Sequence, residues 1–260
     1  MAEGVATRNR PVERVQIDQP TKSKTVPEII DVDIHHQTQK VDELYPYLPR
    51  NYVEQIQDFG AMMPGVGYTN MPGKGSRHDL WAEMDGEVNP AALVEVCREK
   101  HLDRYDIDIG VLTGGPSTAA VHTNPDYAAA YCRAFNDWTA DHWLSADGRL
   151  RGSIHIAPQD PALAVAEIER LADDPRYIQV SMPCGSNMPF GNRHFHPIYE
   201  ACERHGLPVS SHFGAEGAGI ASSPTAAGFP TYYLEMRMAR PQIAQAHVAS
   251  LICEGVFEKF

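Results

Sequence analysis

Nothing in this sequence is apolar for long enough to span a bilayer: no uninterrupted hydrophobic run approaches the roughly 20 residues of a membrane helix. The N-terminus also lacks the apolar core of a signal peptide. Cysteine is sparse. The five present (Cys97, Cys132, Cys184, Cys202, Cys253) are odd in number, scattered and without a C-x-x-C pair, which excludes a disulfide framework or a zinc ribbon and fits a reducing cytoplasm. Positive charge is short too, with 22 Lys and Arg against 34 Asp and Glu. The formal charge of −12 argues against a nucleic-acid or anionic-membrane surface and leaves a small molecule as the expected partner. No Gly-x-Ser-x-Gly elbow offers a nucleophilic serine, and no glycine-rich phosphate fingerprint follows the first strand.

What is present begins with E-I-I-D-V-D-I-H-H-Q, Glu28 to Gln37. Ile29, Ile30, Val32 and Ile34 mark a short buried strand that runs into a long polar segment rich in Pro and Gly. Alternation puts Asp31, Asp33 and His35 on one face and Val32, Ile34 and His36 on the other. Acids on a buried strand need a partner. Asp33 and His35 at its C-terminal end are therefore either a two-point metal anchor or a loop-capping Asp beside a solvated His.

Residues 1–26, rich in Arg, Lys, Thr, Gln and Pro, read as a mobile arm, and 27–260 as the N-terminal portion of a single domain. The segment 37–88 is broken by Pro46, Pro49, Pro64 and Pro72, leaves room for short helices over Leu44 to Phe59, and is either a lid or a surface insertion. Regular alternation follows. Asn89-Pro90, Asn124-Pro125 and Asp160-Pro161 each pair an N-cap with Pro at the first helical position, predicting helices over Ala91–Lys100, Asp126–Ser145 and up to Ala172. A fourth helix spans Pro197–Arg204, and a last one or pair Thr231–Lys259 with Pro241 as a break or new start. Between them lie apolar strands at Ile107–Leu112, Leu150–Ile156, Tyr177–Met182 and Leu207–His212. Buried strands separated by helical crossovers predict a parallel α/β sheet, and the missing phosphate fingerprint favours a barrel over a dinucleotide-binding sheet.

In a barrel, the C-terminal strand ends converge on one mouth. His212 could then meet Asp33 and His35, and two histidines with a carboxylate can hold a divalent cation while leaving positions open. His36 should point away. His155 reads as a hydrogen-bonded core residue, and His194 and His196 as loop-packing or capping residues.

I-I-D-V-D-I-H, then F-H-P-I-Y-E-A-C-E-R-H-G-L-P-V-S-S-H-F-G at 195–214, and the ending L-I-C-E-G-V-F-E-K-F resemble the amidohydrolase-related group of the amidohydrolase superfamily. That group includes metal-dependent hydrolases and non-oxidative decarboxylases similar to the aminocarboxymuconate-semialdehyde and resorcylate enzymes. The resemblance implies a TIM-type (β/α)8 barrel with a divalent metal ion, Zn²⁺ or Mn²⁺ with Mg²⁺ competing, held by Asp33, His35 and His212. It also implies Glu216 and His247 where the mouth is lined and binds substrate. The family's pattern continues with three further βα units that carry a strand-six residue, often His, and a strand-eight Asp. Only about five units are present, and Phe260 follows no capping signal, so the expectation is a truncated chain whose remaining catalytic residues lie beyond Phe260. The implied activity is hydrolysis of an amide, ester or lactone, or decarboxylation of a carboxylic acid, in a complete protein that is a homo-oligomer. The alternative is a catalytically incomplete fragment serving as a binding or assembly module.

Overall fold

Three N-caps start the crossover segments as the sequence predicts. The Asn89 side chain accepts from the Ala91 amide, Asn124 from Tyr127, and Asp160 from both Ala162 and Leu163, each ahead of a Pro that has no N–H to satisfy. The computed structural model describes residues 28–65, 78–84 and 88–260. The predicted arm and parts of the 37–88 segment lie outside the described residues.

The strands are β1 (Ile30–Ile34), β2 (Ile109–Leu112), β3 (Leu150–His155), β4 (Tyr177–Pro183) and β5 (Val209–His212). The helices are α1 (Arg50–Phe59), α2 (His78–Glu83), α3 (Val94–Cys97), α4 (Ser117–Ala120), α5 (Pro125–Thr139), α6 (Pro161–Leu171), α7 (His196–His205), α8 (Tyr233–Cys253) and α9 (Val256–Lys259). All strand pairs are parallel and the order is β1-β2-β3-β4-β5. Five flat strands would hold β1 and β5 about 19 Å apart at the usual spacing. Yet His35 on the β1 end and His212 on the β5 end lie 3.1 Å apart at Nε2. The sheet is therefore strongly curled, a partial barrel of about five βα units.

The outer strand faces pack under the helices, with Leu112, Ile154 and Val180 fully buried against a cluster that includes Trp138, Trp143, Ile168, Phe195 and Ile198. Each of the three strand side chains contributes roughly 1.5–3 kcal/mol by burial alone. Behind β3, the Asn136 amide pairs with both the N–H and the C=O of His155, at 2.9 and 3.0 Å, as a neighbouring strand would. Glu167 accepts from Asn136 and is itself held by Arg170, which also reaches Asp137. The α5-to-β3 seam thus fixes where the β3 end points.

Three expectations are corrected. The first strand is not buried: Ile30 is 51% and Val32 64% exposed, because β1 is an edge of the described sheet and only Ile34 reaches the core. The helix expected over Ala91–Lys100 is a capped 3-10 turn at Pro90–Ala92, then α3, then a π turn at Arg98–Leu102. Extended Leu93 interrupts it. Pro241 neither breaks nor starts a helix, since α8 runs through it.

Candidate metal centre

Asp33 leaves β1 on its inner face, and the turn after β2 reaches it: the Thr113 hydroxyl donates to Asp33 Oδ1 at 2.7 Å. His35 Nε2 lies 3.1 Å from that oxygen, and His212 Nε2 lies 3.3 Å from it. With the 3.1 Å between the two nitrogens, these separations form a nearly equilateral set. Donors about 2.1 Å from one cation stand about 3.0 Å apart at octahedral corners and about 3.4 Å at tetrahedral ones. The observed spacing falls between them. Among the described residues this is the one cluster of three His, Cys, Asp or Glu with ligand atoms so convergent.

The tautomer of His212 supports the same use. Its Nδ1 is 2.7 Å from the Phe213 carbonyl, which can only accept, so Nδ1 carries a proton and Nε2 is the nitrogen turned to Asp33 and His35, the one free to bind a cation. Facing acceptors this close repel one another unless a proton or cation sits between them. Burial works to raise the Asp33 carboxyl, but the Thr113 hydroxyl and the imidazoles of His35 and His212 outweigh it and hold the group below its usual range. The donor set, one carboxylate and two imidazole nitrogens, suits a divalent ion.

His36 turns the other way, as alternation requires. It is fully buried among Phe135, Trp138 and Trp143, bonds the Thr139 hydroxyl at 2.8 Å, and burial pushes its pKa well below the ordinary value. His194 and His196 bond the carbonyls of Gln159 and Gly191, as loop-packing residues do.

Beside the triad lies a pocket of about 150 Å³, lined by His35 and His212 and by Gln37, Thr113, Ser117 and His155 among others. Sequence reasoning placed His155 in the core and missed Thr113, Gln37 and Ser117. His155 is indeed 93% buried, but it also lines this pocket; burial, aided by nearby His212 and opposed by the Gly114 carbonyl, lowers its pKa to about 4. The register was the available signal, because Thr113 directly follows β2 and His155 ends β3.

Glu216 and His247 line a neighbouring pocket of about 180 Å³ with Cys184, Asn187 and Ile243. Both ring nitrogens of His247 are committed to backbone, Nε2 donating to the Cys184 carbonyl and Nδ1 accepting from the Phe190 amide, and the ring stacks on Phe190. Glu216 is buried, its carboxylate accepting from the Gly214 amide.

A family model described as Amidohydrolase matches residues 30–260. Among solved structures, 2,6-dihydroxybenzoate decarboxylase from Rhizobium aligns with a TM-score of 0.59 at 15% identity, covering 90% of this chain and 64% of that one. Dihydroxybenzoic acid decarboxylase from Polaromonas, solved with bound manganese and the inhibitor 2-nitroresorcinol, gives 0.58 at 15% identity, with 90% and 63% covered. The apo form of IDCase from Metarhizium anisopliae gives 0.58 at 18% identity, with 89% and 62% covered. The chain thus spans less than two thirds of each. At these identities the likeness is one of fold. A search of curated proteins by sequence found no match.

Proposed function

This chain belongs to the amidohydrolase family, and on that premise we propose that it forms the metal-binding part of a metal-dependent enzyme acting on a small carboxylic acid, by non-oxidative decarboxylation. The observation that carries the reading is the convergence of Asp33, His35 and His212 from opposite edges of a curled parallel sheet, spaced as ligands of one divalent ion. Bound there, Mn²⁺ or Zn²⁺ would supply Lewis acidity, sufficient to grip a substrate carboxylate or, in the hydrolytic variant of this chemistry, to acidify water. The manganese-containing Polaromonas decarboxylase, which shares the fold, supports the choice of metal and of reaction.

The residues present would do the rest of the positioning. Thr113 keeps Asp33 in its ionised, inward orientation, and the Phe213 carbonyl keeps His212 in the donor tautomer. Neutral polar groups of the pocket, Gln37, Ser117 and His155, offer hydrogen bonds to the remainder of a substrate. His155 stays uncharged near pH 7 and acts there as a hydrogen-bonding group, not a proton source. A small-molecule partner follows from the pocket's size, and no described helix is long and apolar enough to cross a membrane.

The test treats the chain with chelator, restores Mn²⁺ or Zn²⁺, and measures carbon dioxide release from a panel of hydroxybenzoic acids beside hydrolysis of esters and lactones. Metal-dependent decarboxylation supports the proposal, and metal-dependent hydrolysis alone would replace it with the hydrolytic reading. Metal binding without turnover would favour a binding or assembly module, a reading prompted by β1 and β5 being the edges of the described sheet.

A further inference from the structure

Glu216 stands four residues beyond His212, only 2% exposed, on a loop rather than on any strand or helix. Its Oε1 accepts from the Gly214 N–H at 2.7 Å, while the Phe213 C=O accepts from His212 Nδ1–H at 2.7 Å. That C=O and that N–H belong to the same peptide unit. A peptide is planar and rigid, so the carboxylate and the imidazole grip opposite sides of one plate.

We propose that Glu216 is a positioning residue for the metal centre: its carboxylate orients and polarises the Phe213–Gly214 peptide, and that peptide fixes the His212 ring with Nε2 as the metal-facing donor. The inference rests on the metal reading of Asp33, His35 and His212. Linked hydrogen bonds strengthen one another, so an anion on the N–H makes the carbonyl a better acceptor and Nε2 a stronger base. A metal-binding histidine commonly hands its second N–H to a carboxylate or to a carbonyl. Here a carbonyl is backed by a carboxylate through one amide.

The backbone around the plate is constrained as such a device requires. Gly214 has φ +150°, and a Cβ added there would come within 2.6 Å of Ser117 Oγ. Ala215 holds φ +67°, a left-handed conformation that L-residues rarely adopt. Strain of this kind persists where neighbouring bonds over-determine the chain, and the Glu216-to-Gly214 bond closes across the strained residue. Arg240, with Nε 4.0 Å from Glu216 Oε2 and its guanidinium over the Phe213 ring, balances the buried charge. Glu216 faces the neighbouring pocket and not the one beside the triad, so it acts through His212.

The experiment compares Glu216→Gln and Glu216→Ala with the parent chain. Gln keeps an oxygen acceptor for Gly214 but drops the charge, and Ala removes both. Two readouts are taken: the affinity for Mn²⁺ and Zn²⁺ of chelator-treated protein by calorimetric titration, and the imidazole nitrogen shifts of His212 in metal-free protein, assigned by difference from His212→Gln. We expect the parent to show the Nδ1–H form. Ala should mix the tautomers and weaken metal binding by about 10- to 100-fold, with Gln intermediate in affinity and native in tautomer. A merely structural Glu216 would lower thermal stability and leave both readouts alone. Folded variants with parental affinity and parental nitrogen shifts overturn the proposal, and if Ala fails to fold, Gln alone decides. A parent chain that binds neither metal would overturn the metal reading instead, while the nitrogen shifts still decide the peptide relay.

Discussion

Asp33→Asn removes one negative charge and almost no volume, which makes it the sharpest probe of the triad. The amide oxygen can still accept from the Thr113 hydroxyl now 2.7 Å away, and the side chain is 57% exposed, so little packing depends on it. Stability should therefore move by less than about 1 kcal/mol, as for an exposed ionic contact. Metal binding should respond far more. A full set of four protein ligands is worth about 10–16 kcal/mol to zinc, or about 3 kcal/mol per donor if shared evenly. At 1.4 kcal/mol per tenfold, losing Asp33 costs on the order of 100-fold in affinity. The carboxylate is the only anion in the set, so the even share is a lower bound. The assay is calorimetric titration of chelator-treated protein with Zn²⁺, beside a thermal melt of the same sample. Affinity within about threefold of the parent, far short of one donor's share, together with an unchanged melt would refute the argument.

Other expectations follow from the same geometry. His212→Ala should lose bound metal and turnover together, because ligands act as a unit; metal analysis of the purified variant with retained turnover would contradict this. Acid should destabilise the fold above pH 4. His155 is depressed to about 4 from an unfolded value of 6.5, so the unfolded chain binds more protons in that window and stability rises with pH across it. Between pH 7 and 5 the loss is about 2 kcal/mol from His155, with His36 adding in the same direction, measurable as a urea midpoint that is lower at pH 5. Gly219→Val should loosen the loop after β5, since Gly219 has φ +54° and a Cβ there would meet the Val121 carbonyl at 1.9 Å; a melting temperature equal to the parent's would argue against that close approach. The 260-residue chain alone should associate: Leu234, Met238, Ile252 and Phe257 on α8 and α9 and Ile30 and Val32 on β1 are all more than half exposed. A sharp monomer peak in size-exclusion chromatography with cooperative unfolding would remove this inference.

The triad was legible in the sequence because a strand imposes a period of two and a barrel imposes a common mouth. Alternation over D-I-H puts Asp33 and His35 on one face, the place of His212 at the C-terminal end of V-S-S-H brings it to the same mouth, and the curl of the sheet does the rest. The helix starts were legible for a local reason as well: an Asn or Asp side chain satisfies the free amides of its own first turn. What escaped was non-local. The Leu93 interruption carries no punctuation that a window of sequence would register, and at Pro241 the punctuation is present but α8 runs through it. The exposure of β1 depends on what lies beside it, not on its own apolar residues, which would look the same in a buried strand. Glu216 shows the limit most clearly. The family resemblance puts it near the mouth, but whether it touches a substrate or steers His212 depends on one peptide plane, set by Gly214 and the strained Ala215. That distinction is a matter of a single hydrogen bond, and variants that separate charge from shape at Glu216 measure it directly.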